Sequence, residues 1–116
     1  MSKDSVLKRK SMAFAKRIVA LYKYLGSEWH EYVLAKQILR SGTSIGANIA
    51  EAIYGSSRRD FTAKLQIAQK EAAETLYWLE LLNSSEYLPD TLYLSLQSDC
   101  QELLAMLTAS IKSASK

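Results

Sequence analysis

Apolar residues recur along this chain with the period of a helix rather than a strand. From Leu7 through Phe14, Ile18 and Leu21 to Leu25 the spacings are seven, four, three and four, which puts all five on one helical face. Met12, Ala15, Val19 and Tyr22 form a second row beside it. The pattern predicts a first helix over about 4–25. Ser2 or Asp4 can accept its first free amide protons, and Gly26 offers a left-handed residue to end it. Val33, Leu34, Ile38, Leu39, Ile45, Ile49 and Ile53 predict a second helix over about 28–54, with Ser27 as its cap and Glu28 and Glu31 against its dipole. Its middle, 41–47, is poor in helix formers, and Gly42 and Gly46 each cost about 1 kcal/mol relative to Ala. Either a neighbouring helix approaches closely over Gly42, Gly46 and Ala50, which share a face, or the segment breaks in two near Ser41.

Ser57 and Asp60 have the spacing of a capping box and open a third helix over about 57–82. Phe61, Leu65, Ala68, Ala72, Leu76, Leu79 and Leu82 give it an apolar seam, and Lys70 with Glu74 adds an i,i+4 pair. The stretch 83–86 reads as a loop. Pro89, tolerated only in a first turn, opens a fourth helix over about 90–112 along Leu92, Leu96, Cys100, Leu103, Leu107 and Ile111. Four amphipathic helices joined by short loops predict an all-α, antiparallel up-down-up-down four-helix bundle, a single domain over 1–116, about 30 to 40 Å long. Such a bundle needs one apolar stripe per helix, and this chain has more. Ile67, Tyr77, Trp78 and Leu81 lie off the third seam, and Tyr22, Tyr24, Trp29, Tyr32 and Tyr54 surround the first two helices. One reading is a broad core whose tyrosine hydroxyls reach solvent. The other is self-association, with Tyr54, Tyr77 and Trp78 at the oligomer interface.

Composition narrows the chemistry. Four Gly and one Pro in 116 residues disfavour a β-sandwich or barrel, and 48% hydrophobic with 23% charged residues argues against disorder. The single cysteine, Cys100, excludes an intramolecular disulfide. The single histidine, His30, has no second ligand at metal-binding spacing, and no Gly-Lys phosphate loop occurs. No catalytic residue, metal or cofactor is expected, and so no enzyme. The longest charge-free run, 41–50, has ten residues, far below the roughly eighteen a membrane span needs. With no apolar stretch ahead of Lys8-Arg9-Lys10 there is no signal peptide to read, so a cytoplasmic location is expected and no membrane partner.

Charge changes the picture more. The net charge of +3 conceals a first segment, 1–26, with seven basic residues against one acidic, a local +6 that leaves −3 for the rest. Lys8, Arg9, Lys10, Lys16, Arg17 and Lys23 form a basic first helix, with Arg58 and Arg59 as a second spot. Arg9, Lys16 and Lys23 share one face at heptad spacing, and Lys10 and Arg17 form another row. This is a footprint for phosphate contacts, hence RNA or an RNA-bound protein as partner. The plainer reading is a solvated face paired with acids of the third and fourth helices.

The positions Ser41-Gly42-Thr43-Ser44-Ile45-Gly46-Ala47-Asn48-Ile49, Glu51-Ala52, Ser57, Asp60-Phe61, Lys64-Leu65, Ile67-Ala68, Lys70-Glu71-Ala72, Glu74-Thr75 and Tyr77-Trp78-Leu79 resemble the signature of the 23S ribosomal RNA intervening-sequence proteins. The resemblance covers nearly the whole chain. Ala50 departs from it, where many members carry Glu. It implies a small antiparallel bundle, assembly of some members as ring-shaped homopentamers, and no established enzymatic activity. A relative of the same architecture, the accessory variability protein of diversity-generating retroelements, binds nucleic acid and a reverse transcriptase. The signature's polar residues, Ser44, Asn48, Glu51, Lys64, Glu71 and Glu74, lie in helical rows on the second and third helices. If those rows face each other they form either a register-fixing network or a small-ligand pocket.

Overall fold

The computed structural model describes residues 3–115. Four helices follow one another: α1 over Lys3–Trp29, α2 over Val33–Ile53, α3 over Arg58–Ser84 and α4 over Asp90–Ala114. The described residues contain no strand. Helices α1 and α3 each pack against both α2 and α4, and the two diagonal pairs keep their backbones apart. The result is a four-cornered rod of 45 × 22 × 21 Å, slightly longer than the residue count alone suggests. The apolar seams meet along its axis. Leu7, Phe14, Ile18, Leu21 and Leu25 of α1 are all buried, as are Leu65, Ala68, Ala72, Leu79 and Leu82 of α3 and Leu96, Cys100, Leu103 and Leu107 of α4. Each buried Leu, Ile or Phe contributes about 1.5–3 kcal/mol by leaving water.

Helix α2 does not break. It runs continuously through Ser41, and close approach explains its glycines. A methyl group on Gly42 would lie 2.8 Å from Cγ1 of Ile18, and one on Gly46 would lie 3.4 Å from Oγ of Ser11. The cost of the two glycines is therefore offset where α1 lies against them. On the opposite side, the buried hydroxyls of Ser41 and Thr75 sit 2.9 Å apart across the α2–α3 interface. The Thr75 hydroxyl can donate to Ser41 Oγ or to the Glu71 carbonyl, the latter at 2.8 Å, and Ser41 Oγ donates to the Ile38 carbonyl at 3.5 Å.

The first boundary falls later than the glycine signal indicates. Gly26 remains helical and α1 continues for another turn to Trp29, so Ser27 and Glu28 belong to α1 rather than to the start of α2. The left-handed residue is His30, at φ 50°, whose amide donates to the Gly26 carbonyl at 3.1 Å. Gly26 is instead the floor under Tyr32, whose ring would come within 3.2 Å of a methyl there. Glu31 then accepts from the Leu34 amide at 2.6 Å and caps α2. Trp29 and Tyr87 clasp this end edge to face, with ring centroids 5.5 Å apart. The cap expected of Ser2 lies outside the described residues, as does the side chain of Asp4. At α3 the N-cap half of the expected box is present, Ser57 accepting from the Asp60 amide at 3.0 Å. The far end of α3 extends two residues into 83–86 and closes with Glu86 at φ 68°. There Tyr87 donates to the Leu82 carbonyl and Glu86 to that of Asn83, a full Schellman turn.

Candidate nucleic-acid interface

The packing of α1 divides its basic residues into two sets. The face toward α4 carries Lys10 and Arg17. Lys10 bonds Glu102 at 2.9 Å and Arg17 bonds Asp99 at 2.7 Å. These half-exposed pairs contribute about 0.2–1 kcal/mol each and neutralise two of the cations. Arg9, Lys16 and Lys23 point away from the bundle and are exposed. Among the described residues none of the three has an ion-pair partner. Seven residues of helix separate each from the next, about 10.5 Å, so the row spans about 21 Å. Between them lie Met12, Ala13, Val19 and Ala20, also exposed. The paired-face reading of the sequence thus holds for Lys10 and Arg17, with acids of α4, and Arg9, Lys16 and Lys23 stay exposed.

Lys8 stands apart from that row. Its ammonium lies over the ring of Tyr54, 5.9 Å from the centroid. Tyr54 precedes Arg58 by four residues, so this contact puts the start of α1 beside the connection that leads to Arg58 and Arg59. Both arginines are exposed in the first turn of α3. The aromatic residues singled out in the sequence do not form one patch. Tyr54 is 79% exposed. Tyr77 packs edge-on against Trp78, centroids 5.0 Å apart, and is also exposed. Because Thr75 touches Ser41, Tyr77 lies some fifteen helical residues below Tyr54, about 22 Å along the axis. The small-residue face of α2 lies beside a shallow groove of about 280 Å³ lined by Met12, Ala15, Gly46, Ala47 and Ala50.

The polar signature residues resolve into three local groups rather than one network. Lys64 and Glu51 join α3 to α2 at 3.2 Å. Asn48 donates to the Ser44 carbonyl at 2.8 Å and Ser44 to that of Arg40 at 2.6 Å, both within α2. Glu74 accepts from the Trp78 indole at 3.0 Å, within α3. Short polar side chains reach their own preceding turn more easily than the next helix, which is why Asn48 and Lys64 do not meet. Glu71 Oε2 is buried without a hydrogen-bond partner. Burial, with the Glu74 charge adding to it, holds the Glu71 carboxyl above its ordinary range, and Arg40 opposes the shift. Sequence reasoning missed Arg40 and the acids Asp99 and Glu102. Their signal is the i,i+3 spacing of Asp99 and Glu102 on the face of α4 next to its seam. Among the described residues no group of three or more His, Cys, Asp or Glu side chains could hold a metal ion, and no helix is long and apolar enough to cross a membrane.

No curated protein matches the chain. A solved structure from Bacteroides thetaiotaomicron, described as a protein of unknown function from the S23 ribosomal protein family, matches it at a TM-score of 0.94. The two are 56% identical over 96% of this chain and 99% of the other. The model of the 23S rRNA-intervening sequence protein family matches residues 3–109. With a signature legible from Ser41 to Leu79 and a four-helix fold shared at this identity, the chain belongs to the 23S rRNA-intervening sequence protein family.

Proposed function

We propose that this protein is a non-enzymatic, up-down-up-down helical bundle of the cytoplasm that self-associates and binds RNA or an RNA-bound protein through α1. The observation that carries the reading is the row of Arg9, Lys16 and Lys23, exposed and without ion-pair partners among the described residues, on a helix whose Lys10 and Arg17 are ion-paired. The topology is supported by contact order. Advancing along α1 from Lys10 to Arg17 means retreating along α4 from Glu102 to Asp99, and advancing along α2 from Ser41 to Glu51 means retreating along α3 from Thr75 to Lys64. Self-association is supported by Met12, Val33, Tyr54, Ile67, Tyr77 and Leu94, which all stay exposed in a single copy. The family resemblance suggests five copies in a ring.

The test is binding of a pool of structured RNA at 50 mM salt, with Arg9→Glu, Lys16→Glu and Lys23→Glu combined as the control. Binding that falls steeply with salt and disappears in the variant supports the proposal; no binding at 50 mM salt rejects it. The same exposed apolar residues favour a second reading, a protein-interaction scaffold with no nucleic-acid affinity. Light scattering on a sizing column tests the assembly directly, since a species of 13.0 kDa would remove self-association from the proposal.

A further inference from the structure

From the shape of the α1 row we infer that it holds the phosphate backbone of a double-stranded nucleic acid and leaves the base sequence unread. This rests on the proposed RNA-binding role and names the form of ligand within it. Single strands are held by combining positive charge with aromatic side chains on which bases stack. The exposed positions interleaved with Arg9, Lys16 and Lys23 are Met12, Ala13, Val19 and Ala20, and none is aromatic. The nearest aromatics on α1, Tyr22 and Tyr24, are half-buried against the core. No aromatic ring on this row is therefore free to receive a base, and Arg9 is its one planar group.

The same row suits a rigid charged rod. α1 is a single helix of 27 residues pinned along its length by α2 and α4, so it cannot bend to follow a flexible strand. Its three cations recur at about 10.5 Å, and the alanines between them keep the ridge low enough for a phosphate backbone to lie along it. Phosphates of a duplex strand rise about 3.4 Å per step while winding round the axis, so a straight row of about 21 Å meets backbone phosphates where the strands cross it, whatever the base sequence. On the α4 side Lys10–Glu102 and Arg17–Asp99 are closed ion pairs with no net charge, so the attraction for phosphate is confined to the row itself. Reading several base pairs needs several donors and acceptors set into a groove. The row offers three long cations separated by alanine, methionine and valine, with no amide, hydroxyl or carboxylate beside them, which suits backbone contact.

The experiment measures fluorescence anisotropy of the full chain with a 20-base-pair RNA duplex, a second duplex of permuted sequence, and a 20-nucleotide polyuridine strand. We expect the duplexes to bind at least fivefold tighter than the single strand and within twofold of each other. Raising salt from 50 to 200 mM should weaken duplex binding by about fortyfold for each α1 row engaged, from three phosphate contacts. Arg9→Gln, Lys16→Gln and Lys23→Gln together should remove both the binding and its salt dependence. Lys36→Gln with Lys70→Gln, two exposed lysines elsewhere, should change neither. Polyuridine binding as tightly as the duplex, tenfold discrimination between the duplexes, or unchanged binding by the triple variant overturns the inference while RNA binding itself stands. Failure of all three probes to bind at 50 mM salt instead rejects the underlying RNA-binding proposal.

Discussion

Gly42 gives the sharpest test of how α1 and α2 fit together. In an exposed helix interior, Gly→Ala stabilises by about 1 kcal/mol through backbone entropy. At Gly42 the new methyl would meet Ile18 at 2.8 Å from Cγ1, 2.9 Å from Cγ2 and 3.2 Å from Cδ1. Carbon atoms prefer about 3.5–4.0 Å, so three contacts become repulsive together. Ile18 cannot swing aside, because it is fully buried and its β-branched side chain has one favoured rotamer in a helix. Overpacking of this kind costs about 1–3 kcal/mol, which exceeds the propensity gain and leaves Gly42→Ala about 1 kcal/mol less stable than the parent. Gly46 is the internal control. Its methyl would lie at 3.4–3.5 Å from Ser11, ordinary contact, so Gly46→Ala should be about 0.5–1 kcal/mol more stable. Urea unfolding followed by helical circular dichroism, at one fixed protein concentration, measures both, and the Gly42 variant should also melt about 4 °C lower. In an Ile18→Ala background the same Gly42→Ala change should turn stabilising, since the clashing carbons are gone. A Gly42→Ala variant as stable as the parent, or glycine variants that shift in the same direction, would refute the close-approach account of the two glycines.

Three further outcomes follow from particular side chains. Because Glu71 is held above its ordinary range, the folded state binds its proton more tightly than the unfolded chain, so its contribution is lost as pH rises. Glu71→Gln should therefore raise the urea midpoint at pH 7 and raise it progressively less as pH falls towards 4.5, below which the gain vanishes; an equal gain at every pH would contradict the electrostatic cause. Glu86 occupies a left-handed position that costs an L-residue about 1 kcal/mol, so Glu86→Gly should stabilise the fold by about 0.5–1 kcal/mol, and a destabilised variant would count against the Schellman turn. Burial, with the Asp99 charge adding to it, pushes the Cys100 thiol up to about 12. A disulfide reagent at pH 8 should then label Cys100 only as urea unfolds the chain, and rapid labelling of the native protein would show that the core is open.

The helices could be read from the sequence because their apolar period is a property of one segment at a time. The rows from Leu7 to Leu25 and from Leu65 to Leu82 name the core almost residue by residue. The same reading misplaces the α1–α2 turn by one helical turn, because it assigns Gly26 a backbone role. Tyr32, six residues on, needs the space above it, and the turn falls to His30. Likewise Val33 fits the period of α2 yet is 73% exposed, being one of the first residues of a helix whose end projects past its neighbours' core.

The candidate site was half legible. Heptad spacing alone puts Arg9, Lys16 and Lys23 on one face of α1. Which cations stay free depends on α4, where Asp99 and Glu102 neutralise Arg17 and Lys10 across more than eighty residues of chain. The polar signature shows the same division: its residues are recognisable in order, but only the packed helices decide that Lys64 reaches Glu51 and that Glu71 is left with a buried, unpaired oxygen. Sequence by itself determined the four helices, their buried faces and the family, since these rest on periodicity and local chemistry within each segment. Tertiary structure decided the turn at His30, the role of the glycines and which charges remain unpaired, because each of these depends on the distance between side chains that the chain order does not place together.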